Sequence, residues 1–218
     1  MSVRALLARR VIPSAIISAS RIDRPARARA ALRRRLGRPG HVELYFAFDD
    51  PCSAVAVLDL VERLRGRDVT LELLPVVERG IPGDPAREQK REYALTDARR
   101  LAARSGLVLG RHAPLQPEAA TFLAKRAAGA AEPERFCLEA LRRVWFDGDA
   151  ALDEGRFADL AAGQPAPDPA AVRRNERRMR RRGPYDTPAA WLHGRWYFAH
   201  DRLVQIGERL DELGWSAR

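Results

Sequence analysis

The sequence predicts an α/β fold in which an all-helical block separates a β-α-β unit from a β-hairpin and a final helix. Three observations carry this expectation. Residues 42–75 pass from a short apolar run to a segment with one apolar stripe, then to an alternating run. Residues 84–162 hold helical patterns only. Two short segments flank His193-Gly194, and an amphipathic segment follows. Short or alternating apolar runs mark strands, and apolar residues recurring every three or four positions mark helices.

The first strand is residues 42–48, an apolar, β-prone run. Asp50 then caps a helix, with Pro51 at the first helical position, where its missing N–H costs nothing. Val55, Leu58, Val61 and Leu64 form its stripe, and Gly66 ends it. Val69, Leu71 and Leu73 alternate with Thr70 and Glu72, a second strand, parallel to the first across the helical crossover. Asp84-Pro85 repeats the capping pattern and opens a helix that stops at Gly106. Further helices fit 118–128, 133–146 and 153–162, and Cys137 falls on the apolar stripe of the second of these. After a proline-rich turn, residues 171–182 form a helix with arginine on every side and Glu176 as its only acid. Residues 188–192 and 195–198 pair as a hairpin through His193-Gly194. Asp201 caps the last helix, whose stripe is Leu203, Ile206, Leu210 and Leu213. A βαβ unit followed by ββα is the thioredoxin arrangement, with the helical block as an insertion.

Charge is distributed unevenly. The net charge of +10 lies wholly in residues 1–39, which hold eleven arginines and one acid, Asp23. The remaining residues carry 28 basic and 28 acidic groups. The excess marks a basic extension, either a solvated arm with a short helix over 26–36 or a contact for nucleic acid, an anionic surface or another acidic partner. Pro13 breaks the only leader-like apolar stretch, so the expectation is a cytoplasmic chain without a membrane span. Four scattered histidines, His193 and His200 among them as exposed loop residues, show no metal-ligand spacing. The two cysteines, Cys52 and Cys137, are too far apart for a C-x-x-C redox pair.

Four local patterns carry a family resemblance. They are Phe46-Ala47-Phe48-Asp49-Asp50-Pro51-Cys52-Ser53; Tyr93, Asp97 and Arg100 followed by Gly106-Leu107; Thr187-Pro188; and Asp201-Arg202-Leu203. In this order, over residues 42–213, the chain resembles the DsbA-like branch of the thioredoxin superfamily. Within that branch it is similar to the 2-hydroxychromene-2-carboxylate isomerases and kappa-class glutathione transferases. The resemblance implies a basic extension over 1–40, a thioredoxin-like domain in two halves, 41–80 and 166–214, and a helical insertion over 81–165. It also implies a cis Thr187-Pro188 bond facing the site and glutathione held by Thr187, Pro188 and Asp201. Asp50 and Ser53 then stand at the catalytic positions. The Asp-Asp-Pro form is also similar to a bacterial DsbA-like group whose domains occur in tandem, so a tandem partner or a homo-oligomer is expected.

The chain departs from the disulfide oxidoreductases where their chemistry lies. Exchange needs an attacking thiolate and a resolving thiol, but Asp50 and Ser53 occupy those positions and Cys52 falls between them. An ionised Asp50, favoured by the helix N-terminus, repels a thiolate; Ser53 is then the alternative donor, or Asp50 a general base. Both also have purely structural roles open to them, Asp50 as N-cap and Ser53 as a first-turn residue. Asp201 is either a contact for the γ-glutamyl ammonium or another N-cap. Tyr93, Asp97 and Arg100 share one helical face as a polar contact. Two functions follow: a glutathione-dependent isomerase or transferase acting on a small electrophile, or a redox-inactive binding or assembly module.

Overall fold

In the computed structural model, which describes residues 23–147 and 166–217, four strands form one sheet. The elements are α1 (Arg24–Arg35), β1 (Gly40–Phe46), α2 (Pro51–Leu64), β2 (Val69–Pro75), α3 (Arg87–Arg104), α4 (Pro117–Gly129), α5 (Pro133–Trp145), α6 (Pro169–Arg182), β3 (Ala189–Leu192), β4 (Arg195–Phe198) and α7 (Leu203–Glu212). The strand order is β2-β1-β3-β4. β1 and β2 run parallel from Gly40↔Val69 to Phe46↔Pro75, and β3 is antiparallel to β1 from Val42↔Leu192 to Tyr45↔Ala189. The expected helix over 153–162 lies outside the described residues. No helix among the described residues is long and apolar enough to cross a membrane.

The pleat sorts β1 onto two faces. Val42, Leu44 and Phe46 join the main core with Val57 and Leu60 of α2 and Ile206 and Leu210 of α7. Tyr45 and Ala47 point the other way and pack with Leu74, Val76 and Met179 of α6. α6 therefore covers the second face. Its ends obey helix chemistry: Asp168 accepts from Ala171 N at 2.9 Å, and Gly183 takes φ 112° at the C-cap. Its single acid is buried: Glu176 Oε1 accepts from the backbone N–H of Val77 and Glu78 at 3.1 and 2.9 Å. Arg178 reaches Glu72 and Glu43, and Arg182 reaches Glu43, all at 2.8 Å. This helix is docked, with part of its charge spent on the sheet.

Several local expectations change. The short helix of the basic extension forms as α1 and is mostly exposed, but it is anchored: Ala30 is fully buried in the core, and Asp23 bonds Arg209 of α7. Asp84 does not start a helix. It accepts from Ala86 N at 3.0 Å in a turn and pairs with Lys90, and α3 begins at Arg87. Nor does Asp201 cap α7; Arg202 holds that position with no side-chain cap bond, and Asp201 lies 3.4 Å from its guanidinium. The hairpin turn forms as expected, with φ 44° at His193 and 96° at Gly194. His193 is half-buried, not exposed, and stacks on Trp215 with ring centroids 5.0 Å apart. Burial, with the charges of Arg33, His41 and Arg209, pushes its pKa down to about 4 and leaves it neutral.

Candidate functional site

The turn between β1 and α2 builds the site. Asp50 has extended backbone, φ −106° and ψ 108°, and its Oδ1 accepts from Cys52 N at 3.0 Å, so it is the N-cap. Ser53 is fully buried one turn in. Its hydroxyl accepts from Ala47 N at 3.2 Å and donates to Asp50 Oδ2 at 2.5 Å. Thr187 Oγ1 donates to the same Oδ2 at 3.3 Å, and the Thr187–Pro188 peptide is cis. Asp50, Ser53, Thr187 and Pro188 thus meet, although Asp50 and Thr187 are 137 positions apart in the chain.

These residues form one end of a cavity of about 620 Å³. Asp50, Pro51, Cys52, Thr187 and Pro188 line that end. Arg87, Lys90, Arg91, Tyr93 and Asp97 of α3 line the opposite wall, and Trp145 of α5 contributes as well. Ser53 is not part of the lining; its hydroxyl is committed to Ala47 and Asp50, so it positions Asp50 instead of donating to a bound ligand. Asp201 is also outside the lining, paired with its neighbours Arg202 and His200, while His200 itself borders the cavity. Tyr93 and Asp97 both contact Arg100, at 3.0 and 3.4 Å, the polar contact expected along α3.

The electrostatics turn on Arg79, which the sequence did not single out. Its Nη1 lies 2.9 Å from Asp49 Oδ1 and its Nε 3.8 Å from Asp186 Oδ1. Asp186 also accepts from Thr187 N at 2.9 Å. One guanidinium is thus paired with Asp49 and Asp186, and its charge also acts on Asp50. The Asp50 carboxyl is raised above the ordinary carboxylate range. Burial raises it most; the Arg79 charge and the Ser53 bond oppose that, and Asp49 and Asp186 add to it. The expected dominance of the helix N-terminus is corrected: the cap bond is present, but desolvation outweighs it.

Burial, then the charges of Asp50 and Asp97, also pushes the Cys52 thiol up. Its Sγ donates to Ala94 O at 3.8 Å. Cys137 is fully buried. The folded protein is therefore expected to alkylate with iodoacetamide far more slowly than free glutathione at pH 7.5, both thiols reacting promptly only in denaturant. Rapid labelling of one thiol in the native state contradicts this placement.

His41, Glu43 and Glu72 bring ligand atoms within 4.8 Å of one another, a gathering the spacing of the histidines does not show. Both carboxylates there are directed at Arg178, and Glu43 also at Arg182, so guanidinium groups stand where a cation would.

No family model and no curated protein matches the chain. Solved structures do match, and with the topology and cis proline they define the class: the chain has the DsbA-like thioredoxin fold. One neighbour is a 2-hydroxychromene-2-carboxylate isomerase, 18% identical, with a TM-score of 0.59 over 79% of this chain and 95% of that one. Another is the cytosolic disulfide reductase DsbM from Pseudomonas aeruginosa with GSH, 15% identical, with a TM-score of 0.52 over 78% of this chain and 99% of that one.

Proposed function

We propose that the protein is a glutathione-dependent enzyme of the isomerase or transferase type, with Asp50 as its proton-transfer group. The observation that carries this is the Asp50 carboxyl itself. It stands at the cavity end beside Pro188, fixed by two hydroxyls, with burial raising its pKa above the ordinary value. A protonated Asp50 donates to a ligand thiolate instead of repelling it, which removes the conflict in the sequence. The neighbour with GSH supports the choice of thiol. The cavity also suits the charges of glutathione: Arg87, Lys90 and Arg91 face its carboxylates, and Asp97 and Asp186 its ammonium. Arg87 has no ion-pair partner among the described residues.

In this reading the glutathione sulfur bonds to an electrophilic carbon conjugated to a carbonyl. The displaced π pair moves toward the carbonyl, and Asp50 supplies the proton. Rotation about the C–C bond that has become single, then return of the proton to Asp50 with loss of the thiolate, completes a cis–trans isomerisation; retention of the new C–S bond completes a transfer, with Asp50 reprotonated from solvent. Thr187 and Pro188 border the thiol, and Ser53 fixes Asp50. Asp201, outside the lining, receives no contact.

The second reading, a redox-inactive binding or assembly module, is favoured by one observation: the Asp50, Ser53 and Cys52 contacts also complete the cap of α2. Calorimetric titration with reduced glutathione and S-methylglutathione separates the two. The enzyme reading expects micromolar to low-millimolar binding of both. Asp50→Asn should weaken reduced glutathione about tenfold, the scale of one charge-assisted hydrogen bond, and S-methylglutathione less. Absence of heat from folded protein with either ligand leaves the module.

A further inference from the structure

A second surface lies on the opposite face of the sheet. A groove of about 590 Å³ runs between α6 and β2, lined by Glu72, Arg174, Arg177, Arg178, Arg181 and Arg182. Part of its charge is internal: Arg174 pairs with Asp168, and Arg178 and Arg182 pair with Glu43 and Glu72. Arg177 and Arg181 have no ion-pair partner among the described residues. They are exposed and one helical turn apart, about 6 Å along the axis. Like charges at this spacing destabilise a helix, and no acid in the described structure offsets the pair.

The groove leads into aromatic side chains. Arg182 lies over the Trp191 ring, 4.7 Å from its centroid. Trp191 pairs with Trp196 across β3 and β4, and Trp196 packs edge-on against Phe198, 4.8 Å away. Phe198 in turn meets Tyr185, which is 50% exposed; Trp196 is 37% exposed. Since β4 is the edge of the sheet, described neighbours leave this row open on one side.

The unpaired arginines lie on the same helix as Arg182, which joins the groove to the half-exposed aromatic row; together they offer the two components of single-strand recognition, a positive track for the backbone and flat faces for the bases. We infer that this face binds single-stranded nucleic acid, with phosphates on Arg177 and Arg181 and bases stacked on Trp196 and Tyr185. An acidic peptide complements the arginines equally well but leaves the aromatic row unexplained.

The test uses the full chain and a fluorescently labelled oligo(dT), with anisotropy and tryptophan quenching read at several salt concentrations. Salt-sensitive binding with quenching is expected. The double variant R177Q/R181Q should flatten the slope of log K against log salt by about 1.4, two phosphate contacts on a single strand. W196L should weaken binding roughly tenfold. Tyr185→Leu, on the loop after α6, probes the same platform if W196L disturbs the hairpin. No binding at 50 mM salt overturns the inference. So does an unchanged slope in R177Q/R181Q, which assigns the phosphates to other arginines. Displacement by polyglutamate together with unaltered affinity in W196L and Tyr185→Leu also overturns it, in favour of an acidic protein.

Discussion

Trp145→Ala is expected to lower the stability of the fold by about 4 kcal/mol, the range for emptying a buried tryptophan site. Trp145 ends α5 and is fully buried. Its indole N–H donates to Phe48 O at 2.9 Å, and Phe48 sits in the turn that carries Asp49 and Asp50. Its own carbonyl accepts from Gly110 N at 2.9 Å, tying in the segment between α3 and α4. The substitution removes the ring from the cavity wall and leaves the Phe48 carbonyl unpaired, which adds to the loss. Because the ring clamps the helical segment onto the site turn, glutathione affinity should fall with stability. Trp145→Phe keeps most of the burial and loses the N–H, so its cost should be about 1–2 kcal/mol. Urea denaturation read by circular dichroism checks both. A loss below about 2 kcal/mol for Trp145→Ala contradicts the clamp.

The next largest effect is expected at Glu43. It lies in the central strand, 2% exposed, yet carries a carboxylate. Tyr45 OH donates to Oε2 at 2.6 Å, and Arg178 and Arg182 each approach Oε1 at 2.8 Å. Burial alone raises a carboxyl, but the bonds from Arg178, Tyr45 and Arg182 together hold this one below its ordinary value. Removing one member of a buried pair commonly costs 3–5 kcal/mol. Arg178 keeps Glu72, also at 2.8 Å, and both guanidinium groups have access to water. Glu43→Ala should therefore fall at the lower end, about 3 kcal/mol, with the buried Tyr45 hydroxyl losing its acceptor. The pH dependence follows from the sign. A carboxyl depressed in the folded state stabilises above its unfolded value and loses that contribution as pH falls. Glu72, lowered to about 2 chiefly by His41 and then Arg178, behaves the same way. Acid should thus narrow the gap between wild type and Glu43→Ala. A denaturation midpoint unchanged by Glu43→Ala at pH 7 contradicts the buried cluster.

The β-α-β unit was legible because its signals are local. Asp50-Pro51 is a cap followed by a first-turn proline, and the alternation of Val69, Leu71 and Leu73 needs no distant partner to be read. The same local rule failed at Asp84 and Asp201. An aspartate before a helix can equally bond the next turn or an adjacent cation, and here Ala86 N, Lys90 and Arg202 took it. Long-range charge selection was not legible at all. Arg79, Arg178 and Arg182 are three arginines among 37, and nothing local distinguishes them from their neighbours. Their partners, Asp49, Glu72 and Glu43, lie 30 to 139 residues away. Aspartate chemistry in the site was misjudged for a related reason. The helix N-terminus is visible in sequence, whereas the enclosure of Asp50 by residues from two ends of the chain is not. His193 was taken for an exposed residue because its stacking partner, Trp215, follows the last helix.

The central claim is that Asp50 carries a proton where a ligand thiol would sit. Labelling aspartate carboxyls with carbon-13 and following Asp50 by NMR against pH, with and without reduced glutathione, tests it most directly. The account predicts titration above the ordinary value of 3.8, a carboxyl still protonated in the glutathione complex at the pH of the binding assay, and a resonance that moves when glutathione is added. Titration at or below that value, unmoved by glutathione, would contradict it and leave Asp50 as the cap of α2.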